Sequence, residues 1–269
     1  KPIIMNTYHL DLLQKHLKKT LKNYYQICDF SPDRQYYSNE TILSQTKEIV
    51  QQYIRLFQTL NFLDRQTEYY HHGFIFTYQE TVEEITASGE YKEIIKLLLE
   101  AYQHMAESAF KDRFFLPIHV QQINSEEIQI IIGIVTKEQR RYTISVVAHQ
   151  TVYPSPPTSI RNDRYHYLVE LLETYEPEEN ESLESFVNSK GLSYVKIRKD
   201  SKAIFGSPFY HHYLKTKMIT VLEDLLLSTL SYKEIAYKNG FTGYYRLYRL
   251  FHKIYDVPFH LVPRISLKN

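Results

Sequence analysis

The sequence predicts a mainly α fold in two parts: an N-terminal mixed α+β domain with a small antiparallel sheet, and a C-terminal all-α unit. Three observations predict it. Apolar residues recur at helical spacing along most of the chain, but they alternate with a period of two between about residues 114 and 153. After residue 182, a pattern of helix, glycine turn and helix occurs twice, on either side of one long helix. The C-terminal unit is therefore predicted to be a double helix-turn-helix joined by a linker helix.

The composition of the 269 residues is that of a soluble globular protein, with 43% hydrophobic and 23% charged residues. No apolar run approaches the length of a membrane span, and no signal segment opens the chain. We therefore expect a cytoplasmic protein with no membrane partner. The single cysteine, Cys28, excludes an internal disulfide and a cysteine-rich zinc site.

Two amphipathic helices are predicted before any strand. The first covers residues 8–27 and the second residues 40–60, and a loop that contains Pro32 separates them. The second helix carries a long apolar stripe, which consists of Ile42, Leu43, Ile49, Val50, Tyr53, Ile54, Phe57 and Leu60. Such a stripe either belongs to the core of the chain itself or forms the seam of a dimer.

A small sheet is predicted after these helices. The expected strands are a short one over residues 73–78 and three more over 114–121, 128–135 and 142–153, the last two as a hairpin. A helix over residues 90–110 interrupts them. We expect residues 1–153 to form a regulatory or dimerisation domain, and the proline-rich residues 154–163 to form a linker.

The C-terminal unit, residues 164–269, begins with a helix over 165–175 and an acidic loop over 176–181, but its clearest signals come later. Ser231 and Glu234 form a capping box, and Gly240 is expected at positive φ where that helix ends. Phe241 then fills the turn, and Thr242 is predicted to cap a second helix that ends near residue 254. Taken alone, this stretch also fits an ordinary αα-hairpin.

A second copy of this pattern lies upstream. Residues 182–193 align with 231–242 at an offset of 49, and the offset becomes 50 where residues 205–209 align with 255–259. The duplication favours the helix-turn-helix over a single chance hairpin. A long apolar helix predicted over residues 209–228 would hold the two copies at a fixed separation.

The charge is divided unevenly along the chain. From Phe186 to the end there are 14 Lys and Arg against 5 Asp and Glu, a net charge of +9. The rest of the chain therefore holds 18 against 26, a net charge of −8. A basic end on an acidic body indicates a polyanionic partner for the basic end, although solvated lysine faces give the same count.

Two stretches, LLLSTLSYKEIAYKNGF and YRLFHKIYDVPFHLVPR, combine a Leu-Leu pair, a capped helix, a Gly-Phe turn, a Phe-centred helix and a Pro before a final Arg. Through this pattern, residues 165–269 resemble the AraC/XylS family of transcriptional regulators. The resemblance implies a seven-helix unit whose two recognition helices enter successive major grooves of double-stranded DNA, about 34 Å apart. It does not extend to the N-terminal part.

The resemblance also implies which side chains contact DNA. In the second recognition helix they are Tyr244, Tyr245, Arg246 and Arg249; in the first they are Val195, Arg198 and Lys199, with Lys196 and Lys202 near the phosphate backbone. Arginine can bind guanine through two hydrogen bonds, and lysine neutralises phosphate. The tyrosines can contact the DNA backbone, or they can pack against neighbouring protein.

The first module departs from the family pattern. Asp200 and Ser201 stand where an apolar pair normally enters the core, and Val187 stands in place of a small Ala. In the linker helix, Met218 replaces the usual Arg, and in the second module Gly243 replaces a common acidic residue. We therefore expect the second recognition helix to carry more of the sequence specificity.

Together these observations favour a sequence-specific DNA-binding transcriptional regulator, and an activator in particular. Its N-terminal domain would sense a small-molecule effector or mediate dimerisation, and RNA polymerase is a further expected partner. The alternative is a protein-interaction module of the same fold, which binds another regulator or RNA polymerase rather than DNA. No phosphate loop, nucleophile elbow or zinc motif occurs, so we expect no enzyme activity, cofactor or metal.

A homodimer through the N-terminal part is also expected. A second apolar face would remain uncovered if each helix buried only one face within the domain. Tyr53 and Phe57 are the expected interface positions if the helix over residues 40–60 forms the seam. The alternative is a monomer that buries the apolar stripe over residues 42–60 and a second one over residues 94–105.

Overall fold

The computed structural model describes residues 4–5, 7–30, 39–63, 74–79, 96, 114–115, 118–124, 127–138, 141–154, 165–176, 182–255 and 259–265. This part of the chain is mainly helical, as the sequence predicts. Its α-helices are α1 (Thr7–Phe30), α2 (Asn39–Thr59), α3 (His166–Thr174), α4 (Leu183–Ser189), α5 (Tyr194–Phe205), α6 (Phe209–Leu227), α7 (Tyr232–Lys238) and α8 (Tyr244–Tyr255), with a 3-10 helix at Phe259–Leu261. None of these helices combines the length and the hydropathy needed to cross a membrane.

Some predicted segments lie outside the described residues. They include the helix over 90–110 apart from Lys96, the linker over 154–163 apart from Pro154, and the acidic loop over 176–181 apart from Glu176. The domain boundaries at residues 153 and 164 stay predictions.

The described strands belong to the predicted N-terminal domain. They are β1 (Ile4–Met5), β2 (Phe74–Gln79), β3 (Phe114–Phe115), β4 (Ile118–Asn124), β5 (Glu127–Glu138) and β6 (Arg141–Pro154). The two long strands, β5 and β6, pair antiparallel, with Glu138 opposite Arg141 and a register shift between Ile132 and Gly133. Strand β2 is antiparallel to β6, β3 and β4 are antiparallel to β5, and β1 is parallel to β6.

Helices α1 and α2 form an antiparallel hairpin that packs against α6. The leucines of α1 recur every three or four residues on the buried face, and α2 presents its apolar stripe to the same core. The buried apolar residues of α6 are too closely spaced for one stripe: Met218, Ile219, Val221, Leu222, Leu225 and Leu226. Helix α6 is therefore covered on more than one face, as expected of a helix that is apolar all round.

Polar contacts reinforce this packing. Glu223 of α6 accepts hydrogen bonds from Lys19 Nζ at 3.1 Å and from Asn23 Nδ2 at 2.8 Å, both on α1. Lys215 of α6 donates to the carbonyl oxygen of Leu60, just after α2, at 2.7 Å. Residues from both sides of the predicted linker thus share one core.

The expectation that Tyr53 and Phe57 lie at a dimer interface is wrong. Both side chains are 0% exposed within the single chain, and the Tyr53 hydroxyl is hydrogen-bonded to Thr20 of α1. The apolar stripe of α2 packs within the chain itself, so Tyr53 and Phe57 expose no surface that a second copy could contact.

Candidate nucleic-acid interface

The two helix-turn-helix modules have the same turn geometry. Gly191 and Gly240 adopt left-handed backbone conformations, with φ of +70° and +75°, so the positive φ predicted for Gly240 is confirmed. Each turn contains the same two hydrogen bonds. The glycine N–H donates to the carbonyl oxygen three residues earlier, and the N–H of the next residue donates to the carbonyl oxygen five residues earlier. They are Gly191 to Asn188 (2.9 Å), Leu192 to Val187 (3.1 Å), Gly240 to Tyr237 (3.0 Å) and Phe241 to Ala236 (2.9 Å). This is the Schellman ending of a helix, so the first helix of each module ends in the same way.

Serine caps begin three of the four helices in these modules. Ser182 and Ser193 accept hydrogen bonds from the backbone N–H three residues later, at 3.1 and 3.4 Å. Ser231 does the same with Glu234, whose carboxylate accepts from the Ser231 N–H at 2.7 Å, which completes the predicted capping box. These hydrogen bonds hold the pKa of Glu234 below its ordinary value.

The prediction that Thr242 caps the second recognition helix is wrong. Helix α8 begins at Tyr244, and the Leu247 N–H donates to the Gly243 carbonyl at 3.4 Å, so Gly243 occupies the capping position. The second turn is one residue longer than the first. The change of offset from 49 to 50 between the two copies was the sequence signal for this extra residue.

Each recognition helix, α5 and α8, buries one face and exposes the other. Ile197 of α5 and Leu247 of α8 are each 1% exposed, whereas Val195 and Tyr245, each the second residue of its helix, are 76% and 77% exposed. Of the nine DNA-contacting residues implied by the resemblance, eight are exposed, namely Val195, Lys196, Arg198, Lys199, Lys202, Tyr245, Arg246 and Arg249. The ninth, Tyr244, is half-buried.

Tyr244 belongs to a partly buried aromatic cluster of the protein itself. Its ring centroid lies 6.1 Å from that of Tyr232, 5.7 Å from Tyr248 and 6.2 Å from Phe259. Partial burial, followed by the neighbouring tyrosines, raises the pKa of Tyr244. The observed contacts of Tyr244 are thus with protein, which was the second of the two roles considered for these tyrosines.

The exposed cations are available to an external anion. Among the described residues, no carboxylate lies within ion-pair distance of Arg198, Lys199, Lys202, Arg246 or Arg249. Lys196 differs, because its Nζ lies 5.1 Å above the centre of the Tyr167 ring. Both recognition helices therefore present positive charge that the described part of the protein leaves uncompensated.

Asp200 and Ser201, the departures in the first module, are buried, with 4% and 0% exposure. Tyr167 of α3 donates a hydrogen bond to Asp200 Oδ2 at 2.6 Å, which satisfies the buried carboxylate. The first module therefore accommodates an acidic residue where an apolar one is usual. No pattern in the sequence points to Tyr167 as this partner, because it lies 33 residues away in the chain.

A polar network joins the linker helix to the second module. Asp224 of α6 accepts from Lys238 Nζ at 2.6 Å and from Asn239 Nδ2 at 2.8 Å, and Thr220 donates to Asn239 Oδ1 at 2.8 Å. Arg264, the final Arg of the family-like pattern, donates to the carbonyl oxygens of Ser228 and Leu230 at 3.0 and 2.8 Å. These contacts are structural, and they fix α7 relative to α6.

Helix α6 also connects the two modules through apolar packing. Phe209 and Tyr213, near its beginning, belong to a core that also contains side chains of α3, α4 and α5. The rest of α6, from Met218 onward, packs with α7, α8 and the α1–α2 hairpin. Met218 is 0% exposed and lies in this core.

Comparisons with known proteins add one distant similarity. No protein-family model matches the chain, and no curated protein matches it. A solved structure of the xylose-binding transcription activator XylR is similar at 19% identity and a TM-score of 0.30, over 42% of this chain. The matched region spans 30% of that XylR chain.

Proposed function

We propose that this chain is a sequence-specific DNA-binding transcriptional regulator of the AraC/XylS type. The observation that carries the proposal is the pair of equivalent helices, α5 and α8, whose outer faces bear cations without carboxylate partners in the described residues. A duplex presents phosphates and base edges at a helical repeat, so two rigidly connected basic helices suit two successive major grooves.

The exposed side chains have chemistry that suits both parts of DNA recognition. Arg246 and Arg249 of α8 are exposed and suited to guanine, whose O6 and N7 accept two hydrogen bonds from one guanidinium. Val195 of α5 offers an exposed apolar group, which suits the methyl group of thymine. Lys199 and Lys202 supply the phosphate contacts, which carry affinity for any sequence.

The proposal includes finer roles that follow from the resemblance and the sequence. The regulator is an activator that also contacts RNA polymerase and works in the cytoplasm without enzyme activity. Its N-terminal part, residues 1–153, is a mixed α+β domain that responds to a small-molecule effector or mediates homodimerisation.

Because Tyr53 and Phe57 are buried, a dimer would have to use another surface of that part. Sedimentation of the full chain tests the dimer, and a monomer at micromolar concentration contradicts it.

The alternative function, a protein-interaction module that does not bind DNA, was suggested by Asp200 and Ser201. The hydrogen bond from Tyr167 gives a physical reason why the fold tolerates Asp200, so Asp200 no longer points to a loss of DNA binding. Salt separates the two functions, because affinity that depends on phosphate contacts falls steeply as the salt concentration rises.

The test is a binding measurement with variants of the exposed cations. A preferred site is first selected from a pool of random duplexes with the full chain, and the affinity is then measured at two salt concentrations. Arg246→Ala or Arg249→Ala should cost about 1–3 kcal/mol at that site and relax the preference for one base. Lys199→Ala should weaken binding to selected and random duplexes alike, and it should lower the salt dependence.

Lys18→Ala is the matched control, because Lys18 is an exposed cation on α1, outside both recognition helices. It should leave the affinity for the selected site unchanged. If Arg246→Ala, Arg249→Ala and Lys199→Ala all bind like the parent protein, the proposed interface is wrong. Selection that yields no preferred site, together with binding insensitive to salt, would favour the alternative module.

A further inference from the structure

Two buried histidines lie where the α1–α2 hairpin meets the C-terminal unit. His9 of α1 is 6% exposed and His212 of α6 is 0% exposed. The His212 ring stacks on Phe205, the last residue of α5, with centroids 3.9 Å apart and an interplanar angle of 7°. The His9 ring stacks on Phe62, which follows α2, with centroids 4.1 Å apart. The two imidazoles are 5.9 Å apart, so one aromatic cluster joins α1, α5, α6 and the end of the hairpin.

The surroundings of both rings fit only the neutral imidazole. His9 Nε2 and His212 Nδ1 are buried and have no hydrogen-bond partner among the described residues. His212 Nε2 lies 3.4 Å from the Tyr8 hydroxyl oxygen, which is a long hydrogen bond. A protonated imidazole must donate from both nitrogens, so each ring would bury an unsatisfied N–H and a positive charge.

The charged groups near the pair also oppose protonation. Lys215 of α6 is a nearby cation, with its Nζ 5.1 Å from the centre of the Phe62 ring. Burial is the main cause of the lowered pKa of both histidines, and Lys215 lowers both values further. His9 itself further lowers the pKa of His212. Tyr8 of α1 also faces the pair, and burial, followed by Glu173 of α3, raises the pKa of Tyr8. No described carboxylate acts on either imidazole.

We propose that His9 and His212 form a proton-sensitive joint, which holds the α1–α2 hairpin on the C-terminal unit when both rings are neutral and releases it on acidification. Release would remove packing from Phe205 at the end of the first recognition helix, and from α6, which connects the two modules. The joint is argued from these contacts alone, so it does not depend on whether the protein binds DNA.

The direction and range of the effect follow from linkage. The pKa of His9 is lowered to about 3 from an ordinary value of 6.5, and that of His212 is also lowered well below 6.5. A base whose pKa is lower in the docked state than in the released state favours docking fully above pH 6.5. This contribution is lost as the pH falls from 6.5 toward the pKa of the docked state. Between pH 7.5 and 5.5, each ring should weaken docking about 10-fold, and the pair about 100-fold.

The test is hydrogen exchange of the α1 amides in the full chain at pH 7.5 and 5.5, corrected for the intrinsic effect of pH on exchange. The double variant His9→Phe/His212→Phe keeps the aromatic stacking but cannot be protonated. Protection of α1 should fall about 100-fold more in the parent protein than in this variant. His16, the other histidine of α1, is half-buried and has a pKa lowered to about 4 by burial and by nearby lysines, but it is present in both proteins and cancels in the comparison.

His211→Gln is the matched control, because His211 is the exposed neighbour of His212 on the same helix. It should respond to pH like the parent protein. If the double variant does not fold at pH 7.5, the single variants His9→Phe and His212→Phe replace it. In each of them, the pH-dependent loss of α1 protection should be about 10-fold smaller than in the parent protein. An equal response in parent and variants overturns the joint. Independently, NMR titration of the parent protein overturns it if either ring titrates near pH 6.5 while α1 stays protected.

Discussion

The hydrogen bond between Tyr167 and Asp200 allows a first module that departs from the family-like pattern to keep its fold. Asp200 is 4% exposed, and the Tyr167 hydroxyl is 2.6 Å from its Oδ2. Tyr167→Phe removes this donor and leaves a buried acceptor unsatisfied. We expect a loss of about 1–3 kcal/mol in the free energy of unfolding, measured by urea denaturation.

A double-mutant cycle distinguishes this hydrogen bond from general packing by Tyr167. In an Asp200→Ala background, Tyr167→Phe should have a much smaller effect, because no carboxylate remains to be satisfied. The Tyr167 ring also lies under Lys196, and the phenyl ring of Phe keeps that contact. Equal effects of Tyr167→Phe in both backgrounds would show that the hydrogen bond contributes nothing.

At the scale of single residues, the sequence predicts which side chains are exposed better than it predicts which side chains contact each other. Once Ile197 and Leu247 are assigned to the buried face, helical spacing places Val195 and Arg249 on the opposite side, where the structure has them. The partner of Asp200 could not be predicted in this way. Tyr167 lies on another helix, and no periodicity relates positions on two helices whose packing is unknown.

The glycine turn is the element that both modules repeat, and Gly240 is where it can be tested. A Cβ at Gly240 would meet no atom within 4 Å, so substitution there is costly only because φ is +75°. Gly240→Ala should lower the free energy of unfolding by about 1–2 kcal/mol, measured by urea denaturation. Gly240→Asn should cost less, because Asn tolerates the left-handed conformation better than Ala does.

Gly243 provides the control within the same turn. Its φ lies outside the left-handed range, a Cβ there would also meet open space, and it precedes the first residue of α8. Gly243→Ser should therefore be neutral or slightly stabilising, because Ser is a good N-cap. If Gly240→Ala is as harmless as Gly243→Ser, backbone strain is not what requires glycine at position 240.

Turns and helix starts were largely predictable, because they depend on chemistry within four residues. The caps at Ser182 and Ser231 and the positive φ of Gly240 follow from local hydrogen bonding and from the absence of a Cβ. The start of α8 at Tyr244 was not predicted, because Thr242 was expected to be the cap. Threonine is a common cap, and only the one-residue change of offset between the copies argued against it.

At the scale of the whole molecule, the sequence does not determine what covers the apolar residues of α2 and α6. Spacing predicts that Tyr53 and Phe57 are buried, but burial against the same chain and against a second copy give the same pattern. The structure places both in the core that α6 shares with α1, α2, α7 and α8. Packing by the α1–α2 hairpin therefore helps to stabilise the second module.

This sharing of one core predicts how the C-terminal unit behaves alone. A fragment of residues 164–269 lacks α1 and α2, so the side of α6 that they cover would be exposed as a contiguous apolar surface. Such a surface promotes self-association and removes part of the burial that stabilises α7 and α8. We expect the fragment to have a lower unfolding midpoint than the full chain and to sediment as aggregates or oligomers at micromolar concentration. Fusing residues 1–63 to the fragment through a long flexible linker should restore both properties toward those of the full chain. A monodisperse fragment with the midpoint of the full chain would mean that the hairpin adds nothing to the stability of the unit.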